Sequence, residues 1–359
     1  MVRMPQESLR LIRYITKRSI TIFIVVTVAV YITILIANMG GYVDDIIKSQ
    51  TYIEISLNVR NNPAYAHLTS EEMKELINKL FEQEIKRLGL DKPFIYRSLI
   101  YLKDALTLDL GRAQYLTSDS GSRSVKNIIL ERLPATVLLF TTTNLIIFSL
   151  GLLGGLFLSR HYGSRFDKTI VTLSPFSSIP GWFYGIFLIL IFASWFRLLP
   201  YGGFVDAPPP STTLEYVLSV IKHMILPVSS WLISYSFIEV YVRRTFFLMF
   251  SSEDYVEMAK AKGTPPRLIE RRYILRPTLP PILTSFALTL INSWMGAIIT
   301  ERVFNWPGIG SLFYQAVSIF DSPVIIGEVV IYAYLLGITL LVLDIIYALV
   351  DPRIRIGSV

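Results

Sequence analysis

Six long apolar runs constrain this chain more than any other feature. They fall at about 19–37, 134–159, 170–196, 224–242, 278–300 and 325–349, and each is 19 to 27 residues long. Roughly 20 apolar residues suffice for a helix to cross about 30 Å of hydrocarbon. Each run is bounded by Arg/Lys, Pro or Gly, so the pattern predicts an all-helical, multi-pass membrane protein. The charged fraction agrees: 17% of the 359 residues, against about 25% in soluble domains. Behind Arg3, Arg10, Arg13, Lys17 and Arg18, the first run is too long for a signal-peptide core and has no small-residue cleavage site after it. It is expected to be an uncleaved anchor.

The same composition excludes several function classes. The net charge of +7 does not form a nucleic-acid patch, because the basic residues flank the apolar runs. With no Cys and three scattered His (His67, His161, His223), neither thiolate chemistry nor a metal site is expected. The sequence has no phosphate-cradling G-x-x-x-x-G-K-[ST] loop, G-x-S-x-G elbow or H-E-x-x-H pair. The chain is expected to be non-catalytic and to hold no cofactor, with energy supplied elsewhere.

Charge asymmetry predicts orientation. Segments 1–18, 160–168, 243–277 and 350–359 hold 18 Lys/Arg, whereas the short loops on the other side hold Arg197, Lys222 and Arg302. Under the positive-inside rule both termini are cytoplasmic. Loop 38–133 carries 13 basic and 13 acidic residues and is expected outside as a helical domain. Thr69 and Glu72 read as a capping box. Apolar positions from Met73 to Leu88 keep helical spacing, Gly89 is the expected stop, and a second helix is predicted over 94–106. This domain could dock an extracellular binding protein or simply cap the mouth.

Segment 251–277 is the most informative. Ser251, Ser252, Glu253 and Asp254 read as a helix start, followed by a short helix to Lys262. Gly263 breaks it, Pro265-Pro266 turns the chain, and a basic helix from Arg267 to Leu275 leads to the fifth run. Such an elbow suits a lever that moves the two attached spans; an ordinary basic loop on the lipid surface is the alternative. In the fourth run, Glu239 and Arg243 stand four residues apart on one helical face, as a structural ion pair or a pathway element. Trp306-Pro307-Gly308 cannot continue a helix, so 301–312 is expected to form a non-helical or re-entrant turn.

Glu257-x-Ala259-x-x-x-Gly263 resembles the E-A-A---G motif of type I importer permeases in the ATP-binding-cassette (ABC) superfamily. Met258 replaces the motif's first Ala, and Ile274-Leu275-Arg276-Pro277 approximates its I-x-L-P. Asp254-Tyr255-Val256 through Ala261-Lys262-Gly263 is closer to the D-Y-V-x-x-A-x-A-K-G pattern of the dipeptide/oligopeptide/nickel permease branch, in particular its first permease subunit. Leu88–Pro93, Leu108–Gly111, Glu131–Thr136, Glu301–Gly310 and Leu349–Arg353 resemble further signatures of that branch, in order. The resemblance implies the six-helix permease fold with a helical insertion (38–133) after a first span (1–37), a five-helix core (134–350) and a short tail (351–359).

The resemblance also implies a role for each segment. Asp254, Tyr255, Glu257, Ala259, Ala261, Gly263, Arg267 and Pro277 would couple to an ATPase subunit. Glu301, Phe304, Trp306, Pro307, Gly308 and Gly310 would form an outer turn or gate. Its partners would be a second homologous permease, two ABC ATPase subunits carrying ATP and magnesium, and an extracellular solute-binding protein. Short peptides are the expected cargo, with oligosaccharides, nickel or glutathione as alternatives. A stand-alone channel or secondary transporter would need ion-coupling charges or inverted repeats, which the sequence lacks.

Overall fold

The computed structural model describes residues 6–38, 41–65 and 67–350, so the tail 351–359, with Asp351-Pro352-Arg353, lies outside the described residues. Helices account for nearly all of it; the one β-bridge among the described residues joins Arg112 and Ser124. Among the described residues five helical segments are long and apolar enough to span a membrane, and one bent helix pair is a sixth candidate.

The spans rest on α1 (Gln6–Asn38), α5 (Val125–Arg160), α8 (Thr213–Ser251), α11 (Arg276–Ser293) and α14 (Ser322–Val350). Several hydroxyls within them bond locally: those of Thr27 and Thr33 donate to the Phe23 and Ala29 carbonyls, one turn back. This removes the cost of placing a hydroxyl among apolar groups.

The third run is not one straight helix. α6 (Arg165–Leu173) passes through a 3₁₀ turn, Ser174–Ser178, and α7 (Gly181–Leu188) follows with a π-helical turn to Trp195; the two halves meet at 95°. Pro175 and Pro180 are the physical cause, since each lacks an N–H and restricts the residue before it. At the break, the Ser234 hydroxyl donates to the Ile179 carbonyl and Tyr184 to Phe176. The fifth run also stops early: α11 ends at Ser293, not residue 300, because Gly296 adopts φ +76°.

The chain divides into two compact units. The first is built on Ile129–Ser318. In it, Gly151, Gly154 and Gly155 of α5 face Glu239, Val240 and Arg243 of α8. A Cβ at Gly151 would meet Glu239 Cγ at 2.5 Å, and one at Gly155 the Arg244 backbone nitrogen at 2.8 Å. Small residues allow this close approach where lipid supplies no hydrophobic drive between helices. On α7, Gly181 and Gly185 seat the Trp231 and Phe304 rings in the same way.

The second unit comprises Ile20–Ile128 and Ile319–Tyr334. Here α3 (Ser70–Arg87) and α4 (Phe94–Leu106) lie where their spacing placed them. α2 (Tyr42–Asn61) was not anticipated, and α5 begins inside the predicted loop, at Val125. Val26, Val30 and Ile34 of α1 pack with Ala105 and Val330. Arg97, 5% exposed, donates to Asp44 Oδ1 at 2.7 Å. Asp321, fully buried, accepts the backbone N–H groups of Gln114, Tyr115 and Leu116 at 2.9–3.1 Å.

The α3 capping box is complete: Thr69 Oγ1 accepts from Glu72 N, and Glu72 Oε2 accepts from Thr69 N at 2.9 Å. The Thr69 backbone N–H, then its hydroxyl, hold the Glu72 carboxyl below its ordinary 4.5. A depressed carboxylate stabilises above its unfolded pKa, and that stabilisation is lost as pH falls through the folded value. Protection factors for amide exchange at residues 70–73, which correct for the intrinsic rate at each pH, should therefore fall below about pH 4, and Glu72→Gln should flatten that dependence.

Candidate functional site

The hairpin between α8 and α11 carries the first group of sequence-selected residues. α9 (Asp254–Ala261) is followed by α10 (Pro266–Ile269) and a π-helical turn, Glu270–Leu275, leading into α11. Ser251 and Ser252 do not cap α9 as expected. α8 runs on through Ser251, so their hydroxyls donate back to Leu248 and Met249, and Glu253 takes the N-cap position without a side-chain bond.

Gly263 has φ +73° and closes α9. Its N–H bonds the Lys260 carbonyl at 2.9 Å, and Thr264 N–H bonds Ala259 at 3.1 Å, the paired bonds of a Schellman stop. Val256, Ala259 and Ile269 are buried together, with Tyr273 and Ile274 against them, so α9 is folded back onto the chain that follows it. Of the selected residues, Ala259 belongs to this small core. Asp254, Tyr255, Glu257, Ala261, Gly263 and Arg267 face outward, and Pro277 stands at the foot of α11. Met258 is 60% exposed beside them, and Lys260 Nζ lies 2.6 Å from Glu257.

The second group forms a knot between the fifth and sixth spans, on α12 (Ile298–Val303), the turn after it, and α13 (Ile309–Ser318). Glu301 and Trp306 are fully buried, and Phe304 is nearly so. Glu301 Oε1 accepts from the Thr136 hydroxyl at 2.8 Å, and Oε2 from Ser311 N–H at 2.8 Å. The Gly310 N–H points at the same carboxyl. Thr136 in turn accepts Ile309 N–H at 2.7 Å, and Trp306 Nε1 donates to the Ala135 carbonyl at 2.9 Å. Thus the Glu131–Thr136 and Glu301–Gly310 motifs, 165 residues apart at Thr136 and Glu301, meet in one hydrogen-bonded cluster.

Glycine is required at this knot. A Cβ at Gly308 would fall 2.3 Å from Thr136 Oγ1 and 2.4 Å from Glu301 Oε1; one at Gly202 would fall 2.2 Å from the Phe304 carbonyl oxygen. Gly203 N–H donates to that same oxygen at 2.8 Å. Pro307 is half-buried in the turn.

Glu239 and Arg243 pair on α8: Arg243 Nε and Nη2 lie 2.7 and 2.6 Å from Glu239 Oε1. They line a cleft of about 400 Å³ between α5, α8 and α11, together with Asn144, Trp231, Tyr235 and Phe286. Sequence reasoning missed Asn144, the Gly151–Gly155 seam, Gly202 and Asp321. The closely spaced glycines inside an apolar run were a readable packing signal; the others depend on tertiary neighbours. Among the described residues, no group of His, Asp or Glu has metal-holding geometry.

Residues 151–356 match the family described as binding-protein-dependent transport system inner membrane component. The chain is similar to the di/tripeptide transport system permease protein DppB of Pseudomonas aeruginosa (strain UCBPP-PA14), 32% identical over 77% of this chain and 85% of that one. It is 30% identical to the probable D,D-dipeptide transport system permease protein DdpB of Escherichia coli (strain K12), over 76% and 84%. It is 29% identical to the oligopeptide transport system permease protein AppB of Bacillus subtilis (strain 168), also over 76% and 84%.

Proposed function

From the premise that this chain belongs to the family of binding-protein-dependent transport system inner membrane components, we propose that it is one of two homologous permease subunits of an ATP-driven importer of short peptides. Of two ATPase subunits, which would carry ATP and magnesium, one docks on the α8–α11 hairpin of this chain, and an extracellular solute-binding protein delivers cargo. Both chain termini face the cytoplasm, as the Lys/Arg asymmetry favours, and the α2–α4 insertion faces outward.

One observation carries the coupling assignment: the hairpin is a preformed knob. Its inner face is held by Val256, Ala259 and Ile269, while Asp254, Tyr255, Glu257 and Met258 project outward. Burying a side chain such as Val256 is worth about 1.5–3 kcal/mol, enough to keep a short helix ordered against a push. Because α8 is continuous from Thr213 to Ser251, displacement of the knob reaches the Glu239–Arg243 pair and the cleft without a hinge between. The Glu301 knot, by contrast, is packed so closely that it suits a fixed anchor around which α8 and α11 move. The relatives, a di/tripeptide, a D,D-dipeptide and an oligopeptide permease by name, favour peptides as cargo over oligosaccharides, nickel or glutathione.

The test is reconstitution of the whole transporter in proteoliposomes with its binding protein. Radiolabelled trialanine should accumulate only with ATP and both kinds of partner present. Uptake that persists without the ATPase subunits would instead mark a channel or secondary transporter.

A further inference from the structure

We propose that the cleft between α5, α8 and α11 binds a short zwitterionic peptide in transit, its α-ammonium on Glu239 and one of its backbone carbonyls on the Asn144 amide. This rests on the peptide-importer reading above. The cleft holds about 400 Å³, within the about 300–1,000 Å³ common for small-ligand sites.

Two polar groups there have unused capacity. Asn144 is 5% exposed, yet its Nδ2 has no hydrogen-bond partner; buried donors are ordinarily paired, so an unmet one calls for a reason. Both Arg243 contacts fall on Glu239 Oε1, which leaves Oε2 open to a further donor. An ammonium at Oε2 would extend the pair into a cation–anion–cation series in a site of reduced dielectric, where charge-assisted bonds are strongest.

The remaining walls are aromatic. Phe148 and Phe286 pack as a tilted pair with ring centroids 4.2 Å apart, and Trp231 and Tyr235 as another at 5.1 Å. Such surfaces accept side chains of many shapes without reading a hydrogen-bond pattern. The two polar contacts therefore read what all unblocked peptides share, and the aromatic walls tolerate what differs among them.

The measurement is calorimetric titration of the assembled transporter in lipid nanodiscs, without binding protein, using trialanine and N-acetyl-trialanine. Wild type should bind trialanine at least roughly tenfold more tightly than the acetylated peptide, which has no ammonium. Glu239→Gln should abolish that preference. Asn144→Leu should weaken both peptides roughly tenfold while leaving the thermal midpoint unchanged or higher, because it removes an unmet donor; a purely structural Asn144 would lower the midpoint instead. Wild-type affinities in both variants would overturn the assignment. So would absence of binding by a transporter that does accumulate trialanine in proteoliposomes, with the importer reading left standing. No accumulation of trialanine at all would remove the peptide reading itself.

Discussion

Replacing Glu301 by alanine should cost on the order of 4 kcal/mol and strongly reduce the yield of folded protein. The side chain is fully buried and its carboxyl accepts from the Thr136 hydroxyl and the Ser311 N–H. Alanine strands these donors at once, and each unmet buried group costs about 1–3 kcal/mol. Glutamine should not rescue the site fully. Its side chain offers one acceptor oxygen, and its NH₂ meets a donor where Glu301 Oε2 stood, so a loss of about half that size is expected. Gly308→Ala should resemble Glu301→Ala, because its methyl would overlap Thr136 Oγ1 and Glu301 Oε1. Thermal unfolding of the purified transporter ranks the variants. A Glu301→Ala midpoint equal to wild type would mean the knot is not a structural anchor.

Gly263→Asp should reduce trialanine uptake at least roughly tenfold while leaving that thermal midpoint almost unchanged. At φ +73° the position favours glycine, but open space surrounds a would-be Cβ. The penalty within the chain is therefore the backbone one, about 1 kcal/mol. A side chain there projects from the exposed side of the knob, and aspartate places a negative charge at the C-terminus of α9, where the helix dipole disfavours it. Loss of uptake with the fold intact places the defect at an interface. The ATPase subunits should also co-purify less well with this variant. Gly263→Asn, which tolerates the left-handed region best among non-glycine residues, should retain the most activity of the substituted forms. Normal import and co-purification by Gly263→Asp would remove the coupling assignment.

These two sites differ in how far the sequence alone revealed them. The knob was legible because its information is local: Glu253 and Asp254, a short amphipathic stretch, Gly263 and Pro265-Pro266 follow one another directly. The same holds for α3, whose Thr69–Glu72 box and Gly89 stop needed only neighbouring residues. The Ser251–Ser252 start signal misled because α8 outran its apolar core by two turns and claimed both hydroxyls. The bend in the third span was signalled by Pro175 and Pro180, but the apolar residues around them satisfied a length criterion that ignores direction. α2 escaped because residues 42–61 mix Asp, Lys, Ile and Tyr without a clean apolar stripe. The knot was half legible. Trp306-Pro307-Gly308 announced a non-helical turn, yet nothing in that stretch names Thr136 as the partner of Glu301. That pairing, like the seating of Asn144 in the cleft, exists only after α5 and α12 have packed.

The central claim is that the α8–α11 hairpin is the contact through which ATPase subunits move this chain. The chain has no native cysteine, so Met258→Cys provides a single thiol on it at a position 60% exposed. With a short thiol-reactive crosslinker attached, the assembled transporter should yield a covalent product between this chain and an ATPase subunit. A cysteine at Glu71, on the α2–α4 insertion, should yield none. A crosslink from Glu71 with none from Met258 would contradict the account.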